Sequence, residues 1–211
     1  EALFQALADE PNRSKRRRLI LAFIDLGDDT VYFLSRMIEH REWYVVRNVV
    51  YLLGRLKSPA GLGALERVQH HTDIRVRREV LRAAAFIRGP EAEGLLRRCL
   101  DDPEPVIRGL AAEWLGIINA KGILEEFRKM LEMGDKRLKT CHELAIGVVR
   151  GLGRIGSSAD VALIEAFKEQ FRVLGVMRHE DVANACEQAI EDIRRREHAA
   201  DVPDAKEIEK P

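Results

Sequence analysis

The chain has 211 residues, with 35 Lys and Arg against 35 Asp and Glu, so its formal net charge is zero. This balance excludes a general attraction to nucleic acid or anionic lipid, and any such preference must come from a local surface. Aromatic residues make up only 6% of the chain, while Leu, Ala, Ile, Val, Arg and Glu dominate. This composition favours packed helices over a β-sandwich or barrel.

The three cysteines, Cys99, Cys141 and Cys186, are widely spaced, and each falls in a helical pattern. We expect buried thiols in a reducing compartment rather than a disulfide or a nucleophile. The sequence shows no apolar run of about 18 residues and opens with no secretory pattern. We therefore expect a cytoplasmic protein that makes no membrane contact.

The first segment predicts a partial helix over residues 1–10. "LFQALADEP" resembles the end of a later helix around Leu96 and Leu100, so we expect the chain to begin halfway through a repeat. It would then be a fragment of a longer protein, or begin with a lone capping helix. The basic run from Arg13 to Arg18 precedes the apolar "LILAFI" and predicts a solvated helix face, with contact to a phosphate or an acidic partner as the alternative.

An amphipathic helix then recurs at a constant interval, which we call the repeat interval. Its apolar and small positions in the first copy are Val45, Val49, Leu53, Gly54 and Leu56. The same residue classes recur in a second copy, from Val76 to Ile87, and in a third, from Ile107 to Ile118. A fourth copy, from Leu144 to Ile155, follows after a longer spacing. Self-similarity at a fixed period is typical of repeat proteins.

A second helix follows each copy in matching register. Its first core column is Leu34, Leu65, Leu96, Phe127 and Ile164. Ser58-Pro59 and Gly89-Pro90 are typical helix boundaries, and Ser157 with Asp160 resembles a capping box. Each unit is therefore predicted to be a pair of helices, and such units must stack because neither can bury both its faces alone.

A column of small residues runs through the first helices: Gly54, Ala85, Gly116 and Gly153. Glycine inside a helix costs about 0.5–1 kcal/mol relative to alanine. We therefore expect a neighbouring helix to approach closely at this level.

The last third of the chain departs from the repeat interval. The segment "GDKRLKTCHE" (134–143) carries six extra residues and predicts a loop, with Lys136, Arg137 and Lys139 as possible contacts to a partner. Residues 179–198 predict a capping helix that is apolar on one face, and residues 200–211 predict a charged flexible tail.

These copies resemble the short HEAT-like repeat of the phycobilisome-lyase type over about residues 11 to 171. The clearest stretch reads "DIRVRREVLRAAAFIRGPEAEGLLRRCLDDPEPVIRGLAAEWLG". Tetratricopeptide and ankyrin signatures are absent. The resemblance implies an all-α fold, a right-handed α-solenoid of about five HEAT-like helix pairs that spans residues 1–199 as a single array.

Enzymes with similar repeats provide tests for chemistry. Deoxyhypusine hydroxylases hold two irons with His-Glu pairs near the start of first helices. Here the pairs His142-Glu143 and His179-Glu180 fall outside that register. HEAT-like DNA glycosylases use exposed aromatic residues, whereas we expect Trp114 to pack in the core and Trp43 to pack at a turn. We predict no catalytic residue, no metal and no cofactor.

Turn residues have structural interpretations too. Arg47, Arg78 and Arg108 follow the acids Glu42, Asp73 and Asp102, and we interpret them as bridges within the turns. His71, with His70, ends a second helix, where a cationic ring would suit the helix dipole.

That leaves the surface of the second helices, which line the concave side of HEAT-like arrays. Its cationic ladder recurs at the repeat interval: Arg36, Arg67, Arg98 and Lys129. Acids three residues later in the chain, such as Glu39 and Asp101, are expected to neutralise part of it. Gly63 and Gly94 would let a bound chain approach the backbone. The candidate partner-binding residues are Arg36, Arg67, Arg98, Lys129, Arg97, Arg128, Tyr32, Gly63 and Gly94.

We therefore expect a non-enzymatic interaction module or scaffold. Its concave groove would bind a protein or peptide segment, with acidic segments as candidates, or another domain of its own chain. The alternative is a nucleic-acid-binding protein similar to the HEAT-like glycosylases, which would use the ladder against a phosphate backbone. Charges on the concave columns nearly cancel, so nucleic acid is the less favoured partner.

Overall fold

The computed structural model describes residues 12–27, 29–173 and 179–201. The predicted partial helix over 1–10 and the predicted tail from residue 202 onward lie outside the described residues. Regular structure in the described part is entirely helical. Its helices are α1 (Arg13–Asp25), α2 (Asp29–Met37), α3 (Trp43–Leu56), α4 (Leu62–Val68), α5 (Ile74–Ile87), α6 (Pro90–Arg98), α7 (Pro105–Ile117), α8 (Ile123–Glu132), α9 (Lys136–Thr140), α10 (His142–Ile155), α11 (Val161–Val173) and α12 (His179–Asp201).

The predicted all-α class and the predicted helix pairs are confirmed. The chain divides into two compact units, Glu1–Ile107 and Arg108–Pro211, with the boundary inside α7. In the first unit, α3 and α5 are first helices that pack side by side, and α4 and α6 are their second helices. In the second unit, α10 packs against α12, and α11 packs against α8 and α12.

The helix boundaries follow the predicted signals. Pro59 begins a short 3-10 segment that leads into α4, and Pro90 is the first residue of α6. The capping box is confirmed, because Ser157 N–H donates to Asp160 at 2.8 Å and the Ser157 side chain accepts from the Asp160 backbone. Ser58 occupies the predicted N-cap position, although its side chain makes no capping hydrogen bond.

The core columns are buried as the repeat predicts. Leu34, Leu65, Leu96, Phe127 and Ile164 are each 0% exposed. Because equivalent positions recur from repeat to repeat, each helix pair completes its core against the adjacent pair of its own unit. The interior is thus built from one residue pattern used several times.

Close helix approach at the small column is confirmed where glycine occupies it. A Cβ on Gly54 would stand 2.7 Å from the Cα of Ala83 in α5. A Cβ on Gly116 would collide with the backbone of Gly151, and one on Gly153 would stand 2.8 Å from the Cα of Ala189. In the first two contacts, the glycine faces a residue two positions before the matching small residue of the next repeat.

The segment with the six extra residues contains a short helix, α9, where the sequence predicted a loop. Leu138 is fully buried and fixes this helix to the unit. Asp135 begins α9 and accepts a hydrogen bond from the Arg137 N–H at 2.8 Å. The predicted capping helix over 179–198 is present and continues to Asp201.

Candidate functional site

The second helices of the first unit present an exposed surface formed by α2, the helical run from Pro59 to Val68, and α6. We call it the second-helix face. Its central column is Tyr32, Gly63 and Gly94, which occupy equivalent positions in successive repeats. Tyr32 is 73% exposed, and so it projects from one end of a column that otherwise carries no side chain.

The two glycines of this column have no packing role within the described residues. A Cβ on Gly63 would meet no atom within 4 Å, and one on Gly94 would meet only Nη1 of Arg98, at 3.7 Å. Neither glycine has a positive φ. They differ in this respect from Gly54, where the neighbouring helix leaves no room for a Cβ. Backbone without a side chain therefore lies on this face, exposed at Gly63 and half-buried at Gly94, and no packing contact requires it.

Two arginines of the predicted ladder contact the preceding second helix. Arg67 in α4 donates Nη2 to the backbone oxygen of Ser35, and its Nε lies 3.2 Å from Oε1 of Glu39. Arg98 in α6 donates Nη2 to Glu66 at 2.6 Å and Nε to Gln69 at 3.2 Å. The neutralising acids thus belong to the adjacent repeat.

The remaining members of the predicted set on this face differ in exposure. Arg36 is exposed at the position that matches Arg67 in the preceding repeat, whereas Arg97 is half-buried. The side chains of Arg67 and Arg98 are 46% and 47% exposed. We call Arg36, Arg67 and Arg98 the arginine row.

Two predicted binding residues lie in the second unit and have different surroundings. Lys129 in α8 is exposed. Arg128 binds both carboxylate oxygens of Asp160, Nε to Oδ1 at 2.6 Å and Nη2 to Oδ2 at 3.0 Å, and also contacts Glu125. Burial raises the pKa of Asp160, but Arg128 and the Ser157 N–H outweigh it, so the net pKa lies below the usual range. Arg128 therefore links consecutive second helices.

The extra helix α9 holds the three predicted contact residues. Lys136 and Lys139 are exposed, and Arg137 donates Nη2 to Asp135 at 2.9 Å. The sequence did not single out Met133, which is 82% exposed just before α9. Depressions of about 370 and 630 Å³ adjoin it.

Two of the bridges proposed within the turns are wrong, because Glu42 contacts Arg41 and Asp73 binds Arg75. Arg77, which the sequence analysis did not single out, binds Asp102, with Nε 3.1 Å from Oδ2 and side chains that are 9% and 2% exposed. Arg77 also donates Nη1 to the backbone oxygen of His71 at 2.7 Å. Arg47 instead lies 3.7 Å from Glu79 in the next first helix. The buried arginine thus ties two successive turns together.

The turn residue before each first helix has a repeated role. His40, His71 and Asp102 occupy equivalent positions, and each accepts the backbone N–H two residues later, at 3.1, 3.0 and 2.8 Å. The side chain at this position therefore fixes the backbone where each first helix begins.

Aromatic residues are partly accessible at the start of α3. The guanidinium carbon of Arg75 lies 3.4 Å from the centroid of Trp43, and Tyr44 meets Trp43 edge-on at 6.0 Å. Arg75 also donates to both carboxylate oxygens of Asp73 and holds the pKa of that carboxyl at about 2. Trp43 thus packs at a turn as predicted. Trp114 is half-buried in α7.

Reactive chemistry has few candidates. Among the described residues, no three His, Cys, Asp or Glu side chains gather as metal ligands. The three cysteines are buried and free, and burial raises the pKa of Cys99 and of Cys186 to about 12. No helix in the described ranges combines the length and apolar character needed to cross a bilayer.

Comparison with known proteins agrees with this architecture. The family model of HEAT repeats matches residues 63–145. This match confirms the predicted HEAT-like repeats, which include α4 to α9.

Among solved structures, the chain is similar to an engineered protein, with a TM-score of 0.43 and 16% identity, covering 92% of this chain and 97% of that one. It is also similar to human deoxyhypusine hydroxylase in complex with glycerol, with a TM-score of 0.42 and 14% identity, covering 92% of this chain and 95% of that one. No curated protein matched the chain.

Proposed function

We propose that this protein is a non-enzymatic interaction module that binds a segment of a partner protein on its second-helix face. HEAT arrays commonly present such extended surfaces to other proteins. The observation that carries the proposal is a pair of glycines beside the arginine row that no packing contact requires: Gly63, which is exposed, and Gly94, which is half-buried.

The glycines support binding because they lower the stability of their helices and no packing contact within the unit requires them. Alanine at Gly94 would fit without a clash and would favour the helix by about 0.5–1 kcal/mol. A ligand that passes close to the backbone explains why both positions lack a side chain. The adjacent guanidinium groups would supply directed hydrogen bonds to that ligand.

The charges favour a protein partner over nucleic acid. Arg67 and Arg98 already contact the carboxylates of Glu39 and Glu66, so acids interrupt the arginine row. These acids would repel a nucleic-acid backbone, which carries a negative charge at every nucleotide. A protein segment, by contrast, can combine charged and apolar contacts on a surface of mixed sign.

The test is a selection from a random-peptide display library against the purified protein. Variants carrying Arg67→Glu and Arg98→Glu should lose the selected peptides while their circular dichroism stays unchanged. The matched control carries Arg55→Glu and Arg78→Glu. Those arginines are exposed on first helices of the same unit.

The outcomes separate the alternatives clearly. Loss of binding in the second-helix variant but not in the control supports the proposal. Equal loss in both variants, or no selected peptide at all, overturns it. Retardation of duplex DNA that disappears steeply as salt rises would point to nucleic acid instead.

A further inference from the structure

We infer that the segment bound on the second-helix face is an acidic chain in the polyproline II conformation, with a carboxylate at every third residue. This inference rests on the proposed function and specifies its partner. It follows from the free donors of the arginine row, from the spacing of the helices that carry them, and from Tyr32.

The arginine row offers donors that are already oriented. The contacts of Arg67 and Arg98 use Nε and Nη2 in both side chains. These contacts do not involve Nη1, which can therefore donate a hydrogen bond to a bound ligand. Nη1 of Arg98 lies 3.7 Å from the point where a Cβ on Gly94 would stand, so this donor lies beside a backbone position that carries no side chain. A carboxylate placed there would receive a charge-assisted hydrogen bond.

The helix spacing sets the period of the ligand. Contacts such as Arg67 to Ser35 and Arg98 to Glu66 show that α2, α4 and α6 are neighbours in order. Packed helices are about 8–10 Å apart. Polyproline II rises about 3.1 Å per residue with three residues per turn, so equivalent side chains recur on one side about every 9 Å. Carboxylates at positions i and i+3 would then meet successive arginines.

Tyr32 supports the same conformation. Proline-rich segments dock on exposed aromatic rings, and their extended backbone is already ordered before binding, which lowers the entropy cost of binding. Tyr32 is 73% exposed at the end of the glycine column, where a bound segment would pass over its ring. Gly63 and Gly94 would allow the bulky proline rings to approach the helices.

The experiment measures fluorescence anisotropy with three labelled proline-rich peptides of equal length and charge. Each carries two glutamates, separated by two, three or four positions. The three-residue spacing should bind about tenfold more tightly than the others, the ratio that one charge-assisted hydrogen bond provides. Arg98→Gln should abolish this preference, whereas the control Arg82→Gln should retain it.

Equal affinity for the three spacings, or no binding of the three-residue peptide, overturns the inference. Its failure remains distinct from failure of the proposed function. If library peptides bind the second-helix face but lack paired acids at this spacing, the proposed function stands and the polyproline II inference fails. If the library yields no peptide for this face, both fail.

Discussion

Alanine substitutions at Gly94 and Gly54 should have opposite effects on stability. At Gly94 the new methyl group meets only a flexible guanidinium at 3.7 Å, so the helix preference for alanine should raise the free energy of unfolding by about 0.5–1 kcal/mol. At Gly54 the methyl would lie 2.7 Å from the backbone of Ala83. Overpacking of this kind costs about 1–3 kcal/mol, and after the same helix gain the net loss should be at most about 2.5 kcal/mol.

Urea unfolding followed by circular dichroism measures both changes through the midpoint, provided that the slope is unchanged. For a chain of this length we expect Gly94→Ala to raise the melting temperature by about 1–4 °C. The same variant should weaken binding of peptides selected on the second-helix face. A destabilised Gly94→Ala, or a Gly54→Ala protein as stable as Gly94→Ala, would refute the reasoning.

Three further predictions concern buried or charged groups. Arg77→Ala should lower the free energy of unfolding by about 3–5 kcal/mol, measured in urea, because it removes one partner of a buried ion pair; a loss below about 1 kcal/mol would contradict this. The pKa of Asp73 is lowered from 3.8 to about 2, so its stabilising effect should be complete above pH 3.8 and disappear as the pH falls through 2. The stability difference between wild type and Asp73→Asn should shrink over that range, and a constant difference would refute the assignment. Cys99 and Cys186, with pKa values of about 12, should react with a thiol reagent at pH 8 only as fast as the protein opens, and rapid labelling of the native protein would contradict their burial.

The constant repeat interval made much of the fold predictable. Once Val45 and Leu65 are placed on two helices, the next two copies follow at the same interval, and the glycine at position 116 requires a close neighbour. These features are local in sequence or recur at a fixed spacing. The repeat interval also identified Gly63 and Gly94, because they occupy equivalent positions in two repeats and lie outside the core columns.

The side-chain partners could not be predicted in this way. The sequence predicts a contact between Arg98 and Asp101. In the structure, Arg98 binds Glu66, which lies on the neighbouring helix in the preceding repeat. Sequence spacing gives neighbours along one helix, whereas the distance between helices depends on packing. Asp73 was likewise expected to contact Arg78, yet it binds Arg75, which lies closer along the chain.

The contact between Gly54 and Ala83 joins two different surfaces, because each repeat offers one set of positions to its successor and another to its predecessor. A head-to-tail junction of this kind does not close on itself, so the number of stacked repeats is not limited to two. An in-frame duplication of one whole helix pair would therefore meet a matching surface at each new joint. Evolution can therefore add or remove whole repeats while the residues inside each repeat stay the same.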